Sequence, residues 1–133
     1  MIIGVGTDIF LMSRISDEAI QEGDAFFKRA YTEKEHQEAS KRSDKKIYYA
    51  SRFCVKEAVY KAISVCNREF HPGEIEILTD EMGRPRAYLH GKTKETLEKI
   101  TPNYTLHVSL SYDTEYATSF AIAEETNIKE NTI

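Results

Sequence analysis

The sequence predicts one α+β domain in which an antiparallel sheet packs on a long central helix. Three observations carry this reading. The stretch Arg52 to Ala62 holds no Gly or Pro and little β-branching, which favours an unbroken helix. Helical periodicity is concentrated in the first half, while the second half alternates apolar and polar residues between turn signals, the pattern of hairpins. A chain of 133 residues, 41% hydrophobic and 30% charged, is enough for one modest core.

Taken in order, Ile2 to Ile9 alternates apolar and small side chains and predicts the first strand, where Gly4 and Gly6 allow another backbone to approach closely. Asp8 at its end is either an N-cap for the succeeding helical segment or a metal ligand, the cap being the commoner outcome on position alone. Leu11 to Ala30 is helical but broken near Gly23, so two short helices are expected, burying Ile15, Ala19, Ile20, Phe26 and Phe27. Thr32 and Glu35 have capping-box spacing and predict a helix over Glu33 to Ser40. Asp44 is the cap expected for the central helix, which should run to about Cys66. Val55, Ala58, Val59, Ala62 and Cys66 would share its one buried face, with Glu57 and Lys61 opposite.

Beyond the helix, Ile75 and Ile77 alternate with Glu74 and Glu76 as a half-buried strand should. Asp80 to Gly83 supplies a turn, and Arg84 to Leu89 a returning strand marked as an edge by Pro85. Lys92 to Ile100 reads as an amphipathic helix stopped by Pro102. Strands at Tyr104 to Ser111 and Tyr116 to Glu124 complete a domain over 1–124, and the polar stretch 125–133 is expected to fray.

Composition narrows the function. With 18 basic and 22 acidic residues the net charge is -4, which argues against general nucleic-acid binding. No apolar run approaches the roughly 20 residues that span a bilayer. Met1 to Gly6 lacks a basic region and a small-residue cleavage site, so it reads as a strand rather than a signal peptide, and a cytoplasmic location is expected. Cys54 and Cys66 would lie about 18 Å apart along a helix, too far for a disulfide, and are read as small core residues. Neither G-x-x-x-x-G-K-[ST] nor G-x-G-x-x-G occurs, so phosphate recognition falls to side chains and metal.

Three stretches stand in order: Gly4-Val5-Gly6-Thr7-Asp8-Ile9, then Arg52-Phe53 through Lys56-Glu57-Ala58 to Lys61-Ala62, then His107-Val108-Ser109-Leu110-Ser111. Together they resemble the short, single-domain holo-acyl-carrier-protein synthase branch of the 4'-phosphopantetheinyl transferases. The likeness runs from about Ile2 to Glu124 and includes Glu74-Ile75-Glu76-Ile77 and Gly83-Arg84-Pro85. The resemblance implies transfer of the phosphopantetheine arm of coenzyme A to a serine of apo acyl carrier protein, in fatty acid biosynthesis. It implies a homotrimer with coenzyme A at each subunit interface. It places Mg²⁺ on Asp8 and Glu57, the phosphate on Lys61, and coenzyme A near Arg52, Pro85, His107 and Ser109. A non-catalytic trimeric module that binds coenzyme A or a nucleotide is the alternative.

The chemistry asks for these residue types on its own account. Mg²⁺ takes one or two carboxylates plus substrate phosphates and water, and developing phosphate charge needs fixed cations. That reassigns Glu57 and Lys61, otherwise a surface ion pair contributing about 0.2 to 0.5 kcal/mol. The general base remains open among Glu57, a metal-bound water and Asp113. In the basic run Lys41 to Lys46, Lys45 and Lys46 are either a solvated corner or a hold on the 3'-phosphate of coenzyme A. Tyr48 and Tyr49 are read as packing in preference to adenine contacts.

Departures from the family pattern lie at Leu11, where a Glu is common, at Tyr112, where a second histidine is usual, and at Ile63-Ser64-Val65-Cys66, which replaces a glycine-rich turn. The carrier-docking helix after the first strand keeps Arg14, but Glu18, Glu22 and Asp24 make it acidic, so Lys28 and Arg29 are expected to share the attraction.

Overall fold

The computed structural model describes residues 1–64 and 68–126. β1 (Ile2–Leu11) leads through a 3-10 turn at Met12–Arg14 into α1 (Asp17–Glu22), α2 (Ala25–Ala30), α3 (Glu33–Ser40) and the central α4 (Lys45–Ala62). A second 3-10 turn (Pro72–Glu74) precedes β2 (Ile75–Thr79), β3 (Pro85–Leu89), α5 (Gly91–Ile100), β4 (Tyr104–Tyr112) and β5 (Tyr116–Glu125). The expected antiparallel sheet is divided in two. β1, β5 and β4 form one sheet in that order, and β2 and β3 pair as a separate hairpin, with β3 alongside β4.

Local signals set the helix starts. Ser16, Asp24, Thr32 and Asp44 each accept a backbone N–H as N-caps, and Thr32 with Glu35 closes the capping box that the spacing predicts. Gly23 ends α1 in the left-handed conformation, φ 68°, which separates α1 from α2. Phe26 is 59% exposed, contrary to expectation, because Phe27 and Ala30 take the inward side of the short α2.

α4 packs on the three-stranded sheet through small residues. Its Ala58 and Ala62 lie against β1 at Gly6 and Gly4, where a Cβ would fall 2.0 Å from the Ala58 carbonyl oxygen and 2.1 Å from that of Ala62. Val55, Val59, Ile63, Ile75, Ile77, Leu97, Ala121 and Ala123 fill the core around this contact. Tyr48 and Tyr49 are buried with Phe27 and Tyr31, so packing is their role. Cys54 is buried too. Its Sγ lies 3.5 Å from the carbonyl oxygens of Asp8 and Ala117 and 3.1 Å from Ser119 Oγ. Burial pushes the thiol up to about 12.

Other expectations are corrected too. α4 ends at Ala62 rather than near Cys66, with Ile63 as its C-cap and the Ser64 hydroxyl donating to the Lys61 carbonyl; Cys66 lies outside the described residues. α4 is buried on more than one side, since Arg52 is 6% and Lys56 0% exposed. β1 continues past Asp8 to Leu11, and no side chain caps the turn after it, so Asp8 is no cap. Glu76 is buried and bonded to Thr32 and His90 rather than facing water. At the carboxyl end β5 takes in Glu125, while 127–133 lie outside the described residues.

The Gly6 contact predicts that Gly6→Ala lowers stability by about 3 kcal/mol or more, since its methyl meets backbone that cannot turn aside. Urea unfolding measures this, and a loss under about 1 kcal/mol would show that β1 and α4 are not in rigid contact.

Candidate active site

Alternation along β1 turns Gly4, Gly6, Asp8 and Phe10 toward α4. Because glycines at two of these positions let strand and helix touch, the Asp8 carboxylate arrives beside Glu57 on α4. One turn further on, Lys61 reaches back to β1. Its Nζ donates to the Thr7 carbonyl oxygen at 2.9 Å and to Asp8 Oδ1 at 3.2 Å. Lys61 therefore pairs with Asp8 on the neighbouring strand, not with Glu57 on its own helix.

The two carboxylates set the electrostatics. Burial first, and then the adjacent Asp8 carboxyl, push Glu57 up to about 7, against the pull of the Arg14 and Lys61 cations. Asp8 Oδ2 is buried and has no hydrogen-bond partner. The place has a shortage of positive charge and an oxygen lone pair to spare. Among the described residues no group of three or more His, Cys, Asp or Glu is disposed around a metal. A cation here would have two carboxylates and would complete its shell with water or substrate oxygen, the habit of Mg²⁺.

Arg14, which the sequence assigns to docking, stands over the Phe10 ring at 4.7 Å and bears electrostatically on Glu57. Nothing in sequence spacing marks that proximity. Beside it lies a groove of about 320 Å³ lined by Phe10, Ile15, Phe27, Tyr31 and Phe53, with the exposed Phe26 at its rim. Lys28 and Arg29 are exposed on α2. Part of the acidity nearby is already engaged, because Asp24 caps α2 and Asp17 pairs with Lys46 at 3.0 Å.

The remaining candidate residues lie elsewhere in the chain. Arg52 is buried on the side of α4 facing β2, where it donates to Thr79 and Ser51, stacks on Tyr48 at 4.3 Å and lies 3.9 Å from Glu38. Pro85 opens β3 opposite Thr79. His107 and Ser109 lie on the outward face of the three-stranded sheet, the side away from Asp8, and His107 Nε2 is 3.0 Å from Glu124 Oε1. Lys45 is exposed at the start of α4. Asp113 forms the β4–β5 turn by accepting the Glu115 and Tyr116 N–H groups, which hold its carboxyl below the usual range, so it is poorly placed to take a proton.

This fold, with paired carboxylates and a lysine between β1 and a long helix, places the chain in a class. It belongs to the 4'-phosphopantetheinyl transferase superfamily, whose family model matches residues 4–121. Within that class it is similar to holo-[acyl-carrier-protein] synthases. A holo-[acyl-carrier-protein] synthase from Fusobacterium nucleatum is 38% identical over 122 residues, covering 92% of this chain and 98% of the relative. The crystal structure of holo-[acyl-carrier-protein] synthase from Neisseria meningitidis superposes with a TM-score of 0.80 at 30% identity, covering 93% of this chain and 99% of that one. The ACPS-CoA complex from Chronobacterium ammoniagenes gives 0.79 at 26% identity, covering 93% and 98%.

The Glu57 shift has a definite sign. Its folded-state value, about 7, exceeds its ordinary 4.5, so the protonated carboxyl stabilises the fold below about pH 4.5 and that contribution is lost as pH rises through 7. In EDTA, the stability of the protein relative to Glu57→Gln should fall between pH 5 and pH 8. Urea midpoints of the two proteins that run parallel across this range would contradict the crowding of Glu57 against Asp8.

Proposed function

We infer that the chain is a holo-[acyl-carrier-protein] synthase. It transfers the 4'-phosphopantetheine moiety of coenzyme A to a serine hydroxyl of apo acyl carrier protein, leaving 3',5'-ADP. In that exchange the serine oxygen bonds to the phosphorus that carries the pantetheine arm, the bond from that phosphorus to the departing 3',5'-ADP breaks, and the serine proton leaves. The observation that carries the reading is the meeting of Asp8, Glu57 and Lys61 in a chain that matches the superfamily over most of its length.

Mg²⁺ is the cofactor that fits. Two carboxylates short of positive charge, one with an unpartnered oxygen, suit a hard cation that keeps open positions for phosphate. Held there by Asp8 and Glu57, it would neutralise charge on the pyrophosphate. Lys61, half exposed and oriented by the Thr7 carbonyl, offers its ammonium to a phosphate oxygen. Of the candidates for taking the serine proton, Asp113 is engaged in the β4–β5 turn, which leaves Glu57 or a water beside it.

The outward face of the three-stranded sheet supports a homotrimer. Val5, Ile9, Leu11, Tyr116 and Phe120 are exposed there at 37% to 62%, with His107 opposite Ile122 and Ser109 opposite Phe120. Covering that face with a second copy would bring His107 and Ser109 of one protomer to the interface, where coenzyme A would also meet Arg52 and Pro85. Lys45 and Lys46 are assigned to its 3'-phosphate. Arg14, Lys28 and Arg29, with Phe26 beside them, form the docking face for the carrier protein. No helix among the described residues is long and apolar enough to cross a membrane, and we place the reaction in the cytoplasm, in fatty acid biosynthesis. The cluster at Asp8 weighs against the alternative of a module that binds without catalysis.

Incubated with coenzyme A, Mg²⁺ and apo acyl carrier protein, the chain should add the phosphopantetheine mass to the carrier, and Glu57→Gln should slow this by about 100-fold or more. An unmodified but competent carrier would falsify the assignment. Arg14→Glu should raise the KM for carrier, and an unchanged KM removes Arg14 from docking. In sedimentation, Phe120→Glu should dissociate the trimer and weaken coenzyme A binding together; a Phe120→Glu protein that stays trimeric would place the interface elsewhere.

A further inference from the structure

Lys56 precedes Glu57 and plays no part in the transfer chemistry, yet it is the most completely enclosed charged group on α4, 0% exposed. Its ammonium has three N–H groups and three acceptors: Glu35 Oε1 at 2.8 Å, the Pro72 carbonyl at 2.8 Å and the Ile75 carbonyl at 2.7 Å. Glu35 is 0% exposed as well and is equally engaged, its Oε1 also accepting the Thr32 N–H and its Oε2 the Ile77 N–H, each at 2.8 Å. One ion pair thus fastens α4 to the start of α3, to the turn at Pro72 and to β2.

A buried pair of this kind is weak evidence for stability, because desolvation offsets most of the attraction. What it does supply is direction. Successive residues on a helix stand 100° apart, and side-chain tips lie about 5 to 6 Å from the axis. A rotation of α4 by about ten degrees would therefore carry the Glu57 carboxylate about 1 Å, a displacement that can cost on the order of 100-fold in a positioned reaction. On the β1 side α4 meets glycines, which limit approach but carry no side chain, and its own ties to that strand are a thiol hydrogen bond from Cys54 to the Asp8 carbonyl and the half-exposed Lys61 reaching Thr7 and Asp8. On the other side Lys56 is held at three points.

We propose that Lys56, through Glu35 and the Pro72 and Ile75 carbonyls, is a positioning residue that sets the rotation of α4 and so aims Glu57 at Asp8. This rests on the reading of Glu57 as a metal ligand, and it gives the neighbours Lys56 and Glu57 two opposite duties: one residue is buried to fix the helix, the other is turned out to hold the cation. Glu35 has the complementary duty. It caps α3 by its backbone bond to Thr32 and at the same time anchors α4, so the start of one helix and the phase of another are set by a single carboxylate.

The test is Mn²⁺ binding in the presence of coenzyme A, measured by electron paramagnetic resonance, with transfer kinetics alongside. Lys56→Met removes the anchor; Glu35→Gln is the milder second variant, keeping an acceptor for Lys56 while removing the charge. Leu97→Ala, in the same core but on α5, matches the loss of stability without touching α4's anchor. All are compared where circular dichroism shows them folded. Partner residues that orient a metal ligand typically change affinity by about 10- to 100-fold. A loss in that range is expected for Lys56→Met, a smaller one in the same direction for Glu35→Gln, with kcat falling more than the KM for coenzyme A changes, and none for Leu97→Ala. Wild-type Mn²⁺ affinity in folded Lys56→Met, or an equal loss in Leu97→Ala, overturns the positioning role while leaving Glu57 as a ligand. Unchanged affinity in a Glu57→Gln control overturns the metal reading, and this proposal with it.

Discussion

The contact of β1 with α4 is the constraint on which the rest of the structure depends. A strand and a helix bearing ordinary side chains cannot bring their backbones together, but Gly4 and Gly6 opposite Ala62 and Ala58 do so. The short separation lets a carboxylate on a short side chain, Asp8, share a space with Glu57, and lets Lys61 span from helix to strand. Small residues continue across β5, where Ala117, Ala121 and Ala123 face inward, so the whole sheet lies close to the helix. The site is thus a product of missing side chains as much as of those present.

Charge is distributed around α4 by function of place. Toward β2 and α3 its cations are buried against partners, Lys56 with Glu35 and two carbonyls, and Arg52 with Thr79, Tyr48 and Glu38, although Arg52 Nε has no acceptor among the described residues. Toward β1 the balance reverses, for Asp8 and Glu57 crowd one another and are answered by Arg14, which bears on Glu57, and by Lys61, which pairs with Asp8. The first arrangement pairs its charges within the chain. The second leaves an Asp8 oxygen without a partner among the described residues, and under the proposed function a cation and a phosphate would supply what is missing.

The parts of this fold that depend on neighbours in sequence are legible in the sequence itself. The capping box of Thr32 and Glu35 marks the start of α3, Gly23 divides α1 from α2, and the doublet Gly4-x-Gly6 announces a close approach. What is not legible depends on partners far along the chain. The sequence suggests a single buried face for α4 until Glu35 and Ile75 are folded against Lys56, and Glu76 reads as the polar side of a half-buried strand until Thr32 and His90 reach it. Of the candidate site, Asp8, Glu57 and Lys61 do come together, because strand alternation and helix phase point them at one another. Arg52, Pro85, His107 and Ser109 do not join them within one chain, and no periodicity in the sequence could have separated the two sets.

Cys54 lies against the Asp8 carbonyl at the back of this arrangement, enclosed by Ala117 and Ser119. With its thiol pushed up to about 12 by burial, it stays protonated at neutral pH. Oxidants and electrophiles act on the thiolate of accessible cysteines. The Cys54 sulfur is therefore chemically silent, and the site's geometry does not depend on the redox state of its surroundings through this residue.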